Sequence, residues 1–551
     1  MPESRLDAAA VTVEGQDLEE GLYDLLALVR VEESIHLPDA FTLRFDDPHF
    51  DLFDRGTFSL GTKIDLAFSS DQEMVTVTRG EVTALSVEPG PGGRHQLVVS
   101  GLDASHRLAR GPKTRSFQNM TDADIVSKIA QDYDLDTDID ATPEVYEYVL
   151  QSSLTDYAFL RDRGERIGFD LYVADGTLFF KRKPESRESP PTLTWGDNLH
   201  AFRVRFSAAE RCDEVTVRGW DPKNKETLVG RSDQGDTGST ASAANELSGD
   251  AQRAFGNVTR FAGQFPVATQ SEADALAQSL LLKASGEEVV ARGEAHGDPM
   301  ISAGATVDIE EVGDRLSGSY RVTSVEHVYG CDTAYVTRFV CGGKEPAFLA
   351  DLVSGGSNGA QQKRGWGSLV IGIVTNADDP IRSGRVKLKY PTLSDGDESA
   401  WARVASPGAG ANRGMQLIPE VNDEVLVGFE HDDKTRPVVI GGLWNGVDGT
   451  PEAKVEGGEV KTRVWTSRNG HVFEYDDSDA DKGSITVKHA EASSSLHLEK
   501  NESKLQADQN LSIEADSIEI TANSTLKLKA RSIEITADGE VKVGGATIRL
   551  N

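Results

Sequence analysis

A chain of 551 residues carries 90 acidic against 57 basic side chains, for a formal charge of −33. That length predicts several domains with real cores, and the charge excludes a general role in gripping nucleic acid or an anionic bilayer, because either needs a basic surface. The three cysteines, Cys212, Cys331 and Cys341, form no CxxC pair, and the acidic start lacks the apolar stretch of a secretory signal. No segment reaches the roughly 18 consecutive apolar residues of a membrane-crossing helix, so a soluble protein made in a reducing cytosol is expected.

Most of the chain reads as short strands separated by Gly, Pro, Asn and Asp, and the fold class expected is mainly β. Alternation of apolar and polar residues marks Thr76 to Thr83, Asp213 to Gly219 and Ser319 to Val325. Helices are the exception. One is predicted after Thr121, with Ile125, Val126, Ile129, Ala130 and Tyr133 at helical spacing behind Asp122 and Asp124. A second follows Thr155 and stops at Gly168, and a third opens at Ser271, which forms an SxxD capping pattern with Asp274. KRKPESRESPP near Lys181 and SDQGDTGSTASAANELSGD from Ser232 read as exposed loops or disorder.

SGGSNGAQQKRG, residues 354–365, is polar and Gly/Ser-rich and reads as a linker. The domains expected are 1–353, a module of β-barrel-like parts with a helical insert at about 111–200; 366–446, a small OB-like barrel of five strands; and 447–551, a repetitive C-terminal segment. In that last segment apolar residues stand in pairs at i and i+2: Leu511 with Ile513, Ile518 with Ile520, Leu526 with Leu528, Ile533 with Ile535, Val541 with Val543, and Ile548 with Leu550. Successive pairs lie 7, 8, 7, 8 and 7 residues apart, so each unit is one short strand and a turn, the period of a β-helix or β-prism.

A single ribbon of such strands cannot close a core. Ordering each residue's backbone costs about 1–2 kcal/mol, and a buried aliphatic side chain returns about 1.5–3 kcal/mol only when neighbours cover it. Three intertwined copies would bury every pair on a common axis and leave no open strand edges. The alternative is a single-chain solenoid.

Chemistry is sparse. GGSNG at residues 355–359 matches the GxSxG nucleophile pattern but lacks the strand and helix that strain Ser357, so a linker is the better reading. DDSDADKG at 476–483 alternates Asp477, Asp479 and Asp481 like a calcium loop, yet has Lys482 where the loop needs Gly and Lys488 where it needs a bidentate Glu; a hairpin turn is expected. The 11 histidines form no HExxH, and His431 beside Asp432 and Asp433 reads as solvated. Residues 366–446 hold 8 basic against 11 acidic residues, too few positive charges for the nucleic-acid grooves that five-stranded barrels often carry. Cys331 and Cys341 stand at the ends of a hairpin pattern and are expected as buried thiols. Catalytic, cofactor and metal residues are therefore expected to be none.

Several stretches together resemble the spike-hub proteins of contractile injection machines, the valine-glycine repeat protein G (VgrG) family and its relatives in phage tails and extracellular contractile injection systems. FQNMTDADIVSKIA from Phe117, SLTDYAFLRDRGERIGFDLYVADGTLFF from Ser153, EVTVRGWDPKNKETLVG from Glu214 and HGDPMISAGATVDIEEVGDRLSGSYRVTSVEHVY from His296 are similar to the hub module. GRVKLKYP, WARV and GMQLIPEVNDEVLVGFEHDDKTRPVVIGGLWNG resemble the baseplate spike barrel, and SRNGHVFEYDDSDADKGSITVKH with the ladder after Leu511 resembles the needle.

The resemblance implies a homotrimer whose hub meets inner-tube, tube-initiator and baseplate proteins, and whose intertwined β-prism pierces a target envelope. It also implies a proline-alanine-alanine-arginine (PAAR) repeat tip protein at the C-terminal end, and allows effector cargo. The barrel runs almost directly into the needle and the chain stops at Asn551, so no enzymatic extension is expected. The compact length and VRGWDPKNKETLVG favour an extracellular, phage-tail-like particle, assembled in the cytoplasm, over a type VI secretion tip. The alternatives are a cell-wall-degrading tail enzyme, which needs a pair of carboxylates in a cleft, and a receptor-binding tail module.

Overall fold

The computed structural model describes residues 9–70, 73–90, 94–174, 176–182, 190–209, 211–221, 224–263, 265–330, 333–343, 369–392, 396–451 and 453–549. The linker at 354–365, Ser357, Cys331 and most of the charged stretch after Lys181 lie outside the described residues. The chain divides into two compact units at Leu443/Trp444. The fold is mainly β, as the alternating segments predict.

The first unit is organised by one sheet of thirteen strands among the described residues. Its middle is a run of long antiparallel neighbours: Leu26–Ser34 against Ala40–Asp46, Ala40–Asp46 against His95–Asp103, and His95–Asp103 against Glu73–Pro89. Alternate residues point inwards, so Val29, Val31, Phe41, Leu43, Phe45, Leu97 and Val99 fill one core. Gly101 is required here, because a Cβ at that position would meet the Phe41 ring at 2.2 Å. On the other edge of Leu26–Ser34 lies Gly318–Gly330, with Val31 opposite His327. That strand brings in Thr333–Cys341, Val289–His296 and Leu199–Phe206, which close a second core around Ile301, Val307, Tyr320 and Phe339.

The helices sit where capping chemistry allows. Asp122–Gln131 starts with a capping box in which Thr121 and Asp124 satisfy each other's backbone N–H. Asp156–Ile167 ends at Gly168, whose φ of 72° is the left-handed conformation that glycine adopts without strain. The helix expected from Ser271 instead spans Gln270–Ser285. Its cap is Thr269, whose hydroxyl accepts from the Glu272 N–H, because Thr269-x-x-Glu272 offers the same pattern two residues earlier. Part of the stretch from Ser232 expected to be loop or disorder is a helix, Ser242–Phe255. It is held by Ala243, Ala244 and Ala251, small side chains that pack without a stripe of large apolar residues.

The five predicted barrel strands are present at Val370–Asn376, Lys387–Lys389, Arg403–Val404, Glu424–Phe429 and Pro437–Gly442 and form one sheet around Val374, Leu388, Val425, Val427 and Val439. One corner of the barrel is fixed by Asp379. Burial alone would raise its pKa, but bonds from Arg385 Nη2 at 2.8 Å, Ser383 N at 2.8 Å and Ser383 Oγ at 2.9 Å outweigh it and hold the carboxyl well below the usual range. The barrel meets the helical insert through Ser116 Oγ, which donates to Asp397 Oδ1 at 2.8 Å.

In the second unit a short hairpin, Val455–Glu456 with Glu459–Val460, precedes an antiparallel meander, Thr462–Thr466, Val472–Asp476, Ser484–Lys488, Ser495–Glu499 and Ser503–Gln506. The acidic DDSDADKG stretch forms the turn between its second and third strands. From residue 507 to 549 no strand is present, although the repeat predicts one per unit. The reason is physical: a strand is defined by its hydrogen-bonded neighbour, and within one chain these units have none.

Replacing Asp379 by Ala leaves Arg385 and the Ser383 loop without their shared acceptor. Asp379→Ala is expected to destabilise the barrel by about 3 kcal/mol, seen as a lower urea midpoint; an unchanged midpoint would remove Asp379 from this role.

Candidate functional site

Two places concentrate unusual physics. The first is a cluster of buried carboxylates at the ladder joining the two halves of the large sheet. The Asp39 N–H donates to Asp103 Oδ2 at 3.0 Å, the Asp103 N–H donates to the Asp39 carbonyl at 2.9 Å, and Ser34 N–H donates to Asp39 Oδ1 at 3.1 Å. Glu33 lies beside them, 3.4 Å from His327 Nε2, and accepts from Ala303 N–H at 3.0 Å. Burial and then the neighbouring charges of Glu33 and Asp103 push Asp39 well above its ordinary value, and burial lifts Asp103 to about 6.

None of these three acids lines either of the two cavities that stand out on this unit. One, about 300 Å³, lies between Phe206, Arg211, Leu247, Phe255 and Glu288; the other, about 580 Å³, is lined by Leu60, Glu81, His106, Arg107 and Tyr133. In the second, Glu81 is bound by Arg107 at 2.7 Å and by His106 at 3.3 Å. Asp156, fully buried, is engaged by Lys113, Arg115, Tyr133 and Gln151 at 2.6–2.8 Å. These are carboxylates whose lone pairs are occupied, which is how a structural anchor is built. Among the described residues no group of three or more His, Cys, Asp or Glu is placed to hold a metal ion. Cys212 and Cys341 are buried free thiols, and burial pushes Cys341 far above the usual thiol range. No helix among the described residues is long and apolar enough to cross a membrane.

The second place is the C-terminal unit, which has almost no interior. Among its described residues only Thr462 is buried. In the meander, register sets Trp465 opposite Phe473, Phe473 opposite Val487, Val487 opposite Leu496 and Leu496 opposite Leu505, one continuous apolar row. The other face carries Glu474, Thr486, His497 and Lys504 in the same cross-strand order.

The apolar pairs of the repeat follow. Leu511, Ile513, Ile518, Ile520, Leu526, Leu528, Ile533, Ile535, Val541, Val543 and Ile548 are all exposed, between 52% and 69%. Leu550 lies outside the described residues. The first member of each pair is always the less exposed, 52–56% against 63–69% for the second, so the units share one geometry. A single-chain solenoid would stack these units on one another, and no such pairing exists within residues 507–549.

One chain thus holds a wide β-sheet, a five-stranded barrel and an uncovered, regularly repeating apolar stripe. Residues 370–444 match the model described as the type VI secretion system/phage-baseplate injector OB domain. Residues 7–330, more than half of the chain, match the model described as the Alg8 N-terminal domain, and the chain belongs to that family. Its curated relatives are VgrG spike proteins of type VI secretion systems. It is 28% identical over 128 residues to VgrG1c of Pseudomonas aeruginosa, covering 22% of this chain and 18% of that protein. With VgrG3 of Vibrio cholerae it shares 35% identity over 74 residues, 13% of this chain and 7% of the relative. The chain thus spans less than a fifth of the length of these relatives. Among solved structures, the lidded PdpA–VgrG complex of Francisella is similar in fold, with a TM-score of 0.52 at 9% identity, covering 91% of this chain and 80% of that one.

The raised Asp103 carboxyl makes stability depend on pH. Because its folded pKa of about 6 exceeds the unfolded value, its contribution is fully present below about pH 4 and is lost as pH rises through about 6. Asp103→Asn, which cannot ionise, is expected to flatten the fall in thermal midpoint across that window; an unaltered pH profile would rule the group out.

Proposed function

We propose that this protein is the central spike of a contractile, phage-tail-like injection apparatus, a homotrimer that links inner tube and baseplate to the tip and punctures the target envelope. The observation that carries this reading is the C-terminal unit without a core. An ordered segment of this length needs burial to offset its conformational entropy, and three copies would supply it along the whole stripe. The injector-type barrel and the similarity to spike proteins support the same role.

In this reading Leu511 through Leu550 form the trimer core, and the domains are a hub at 1–353, a linker at 354–365, a spike barrel at 366–446 and a needle at 447–551. Tube, baseplate and tip proteins are the partners it requires, with effector cargo as a passenger. No enzymatic step is assigned to the chain: its mechanism is mechanical, and a prism without free edges unfolds slowly under load. The particle is assembled in the cytoplasm and released in an extracellular form.

Light scattering after size exclusion tests the assembly. The full chain is expected at three times its 59.5 kDa mass, and Ile520→Asp combined with Ile535→Asp is expected to abolish the trimer; a folded wild-type monomer would end the spike reading. Added to purified cell walls, the protein is expected to leave turbidity unchanged. Clearing would instead favour the wall-degrading alternative.

A further inference from the structure

We propose that the residue standing between the two apolar positions of the four inner C-terminal units builds an alternating-charge ladder between copies of this chain, and that this ladder sets the register in which the copies assemble. The inference rests on the trimeric reading above. The row reads Ser512, Glu519, Lys527, Glu534, Lys542 and Arg549; its four inner residues alternate in sign, while Ser512 carries no charge and Arg549 repeats the sign of Lys542 at the C-terminal end. Flanked on both sides by inward-facing apolar residues, each must point outwards.

Within one chain these charges are poorly served. Lys542 reaches Glu540 at 3.7 Å, with both side chains at least 75% exposed. Glu519 accepts a long bond of 3.4 Å from Thr521 Oγ1. Among the described residues neither Lys527 nor Glu534 takes part in an ion pair.

Three-fold geometry supplies the missing neighbours. Since no unit pairs with another of its own chain, successive units turn onto successive faces of a three-sided prism. On any face, one unit of the first copy is followed by the next unit of a second copy, then by the next again of the third. Neighbouring strands lie about 4.8 Å apart. Glu519 therefore lies beside Lys527 of a second copy, that lysine beside Glu534 of the third, and that glutamate beside Lys542 of the first. Each face carries the same ladder.

The apolar core cannot choose this register. Every unit offers Ile, Leu or Val at both inward positions, so a slide of one unit leaves the stripe apolar. The outer row does choose: the same slide sets Glu beside Glu and Lys beside Lys, and like charges directly opposed on neighbouring strands destabilise the pairing. A slide of two units restores the signs but uncovers two units of the core. The alternation of 7- and 8-residue units also disfavours a one-unit slide, so the test changes charge and leaves spacing alone.

Three forms of the full chain separate these effects: wild type, Glu519→Lys with Glu534→Lys, and those two combined with Lys527→Glu and Lys542→Glu. Light scattering and the midpoint of heat dissociation are read at low salt and at about 1 M, where surface charges are screened. The all-lysine row is expected to lower the midpoint by roughly 10 °C at low salt and to recover at high salt. The fourfold reversal, which restores alternation, leaves net charge unchanged and sets an acid beside Arg549, is expected to be at least as stable as wild type. Because the two lysines make a strongly acidic chain less acidic, their effect cannot be charged to net repulsion. An all-lysine form as stable as wild type, or a reversal as weak as the all-lysine form, would overturn the ladder. Should the all-lysine form fail to fold, the reversed form decides alone: a stable trimer supports the ladder and a weakened one sinks it. A monomeric wild type is a different failure, of the trimer itself.

Discussion

The constraint on which this molecule turns is an apolar stripe that one chain has no means of covering. A residue ordered without burial is a net loss, because fixing its backbone costs about 1–2 kcal/mol and nothing is taken out of water in return. From Leu511 onward the chain repeats that loss unit after unit. A regular geometry can persist there only if the missing surface is supplied from outside, and the sameness of the units means that whatever supplies it must repeat in step with them.

The first unit obeys the opposite rule. Among the described residues the five hydrophobic cores lie within residues 9–439, each closed by its own strands and helices. Two of its buried carboxylates are likewise satisfied from within: Asp156 and Asp379 are surrounded by donors from their own neighbourhood. Stability is therefore built by internal packing up to Leu443, and in the proposed trimer association would supply it beyond. Mutations in the two units should differ in kind, the first acting on folding free energy and the second on a concentration-dependent equilibrium.

How much of this was legible in the sequence depended on whether a signal is local. The repeat after Leu511 is visible because its period is short and its apolar residues are large. The helices at Asp122 and Asp156 announce themselves by Thr caps and a terminal Gly. The helix Ser242–Phe255 is silent because its buried face is alanine, which contributes no contrast with a Ser- and Gly-rich surrounding. The carboxylate cluster is harder still. Glu33, Asp39 and Asp103 look like ordinary loop and edge acids, and the partner His327 arrives only through a strand pairing that no spacing rule foretells. As for the candidate site, the apolar pairs could be named from sequence, but their uncovered state became visible only in the structure.

The pairing of Leu26–Ser34 with Gly318–Gly330 also has a temporal side. Val31 waits for His327, about 300 residues later, and at about 5–20 residues per second a ribosome needs about 15–60 s to deliver it. Throughout that interval one edge of a long, apolar-faced strand has no partner, the condition under which nascent chains capture one another. Because the repetitive segment follows the sheet in the chain, the surface proposed to join sister copies is exposed only after the internal sheet has had the means to complete itself.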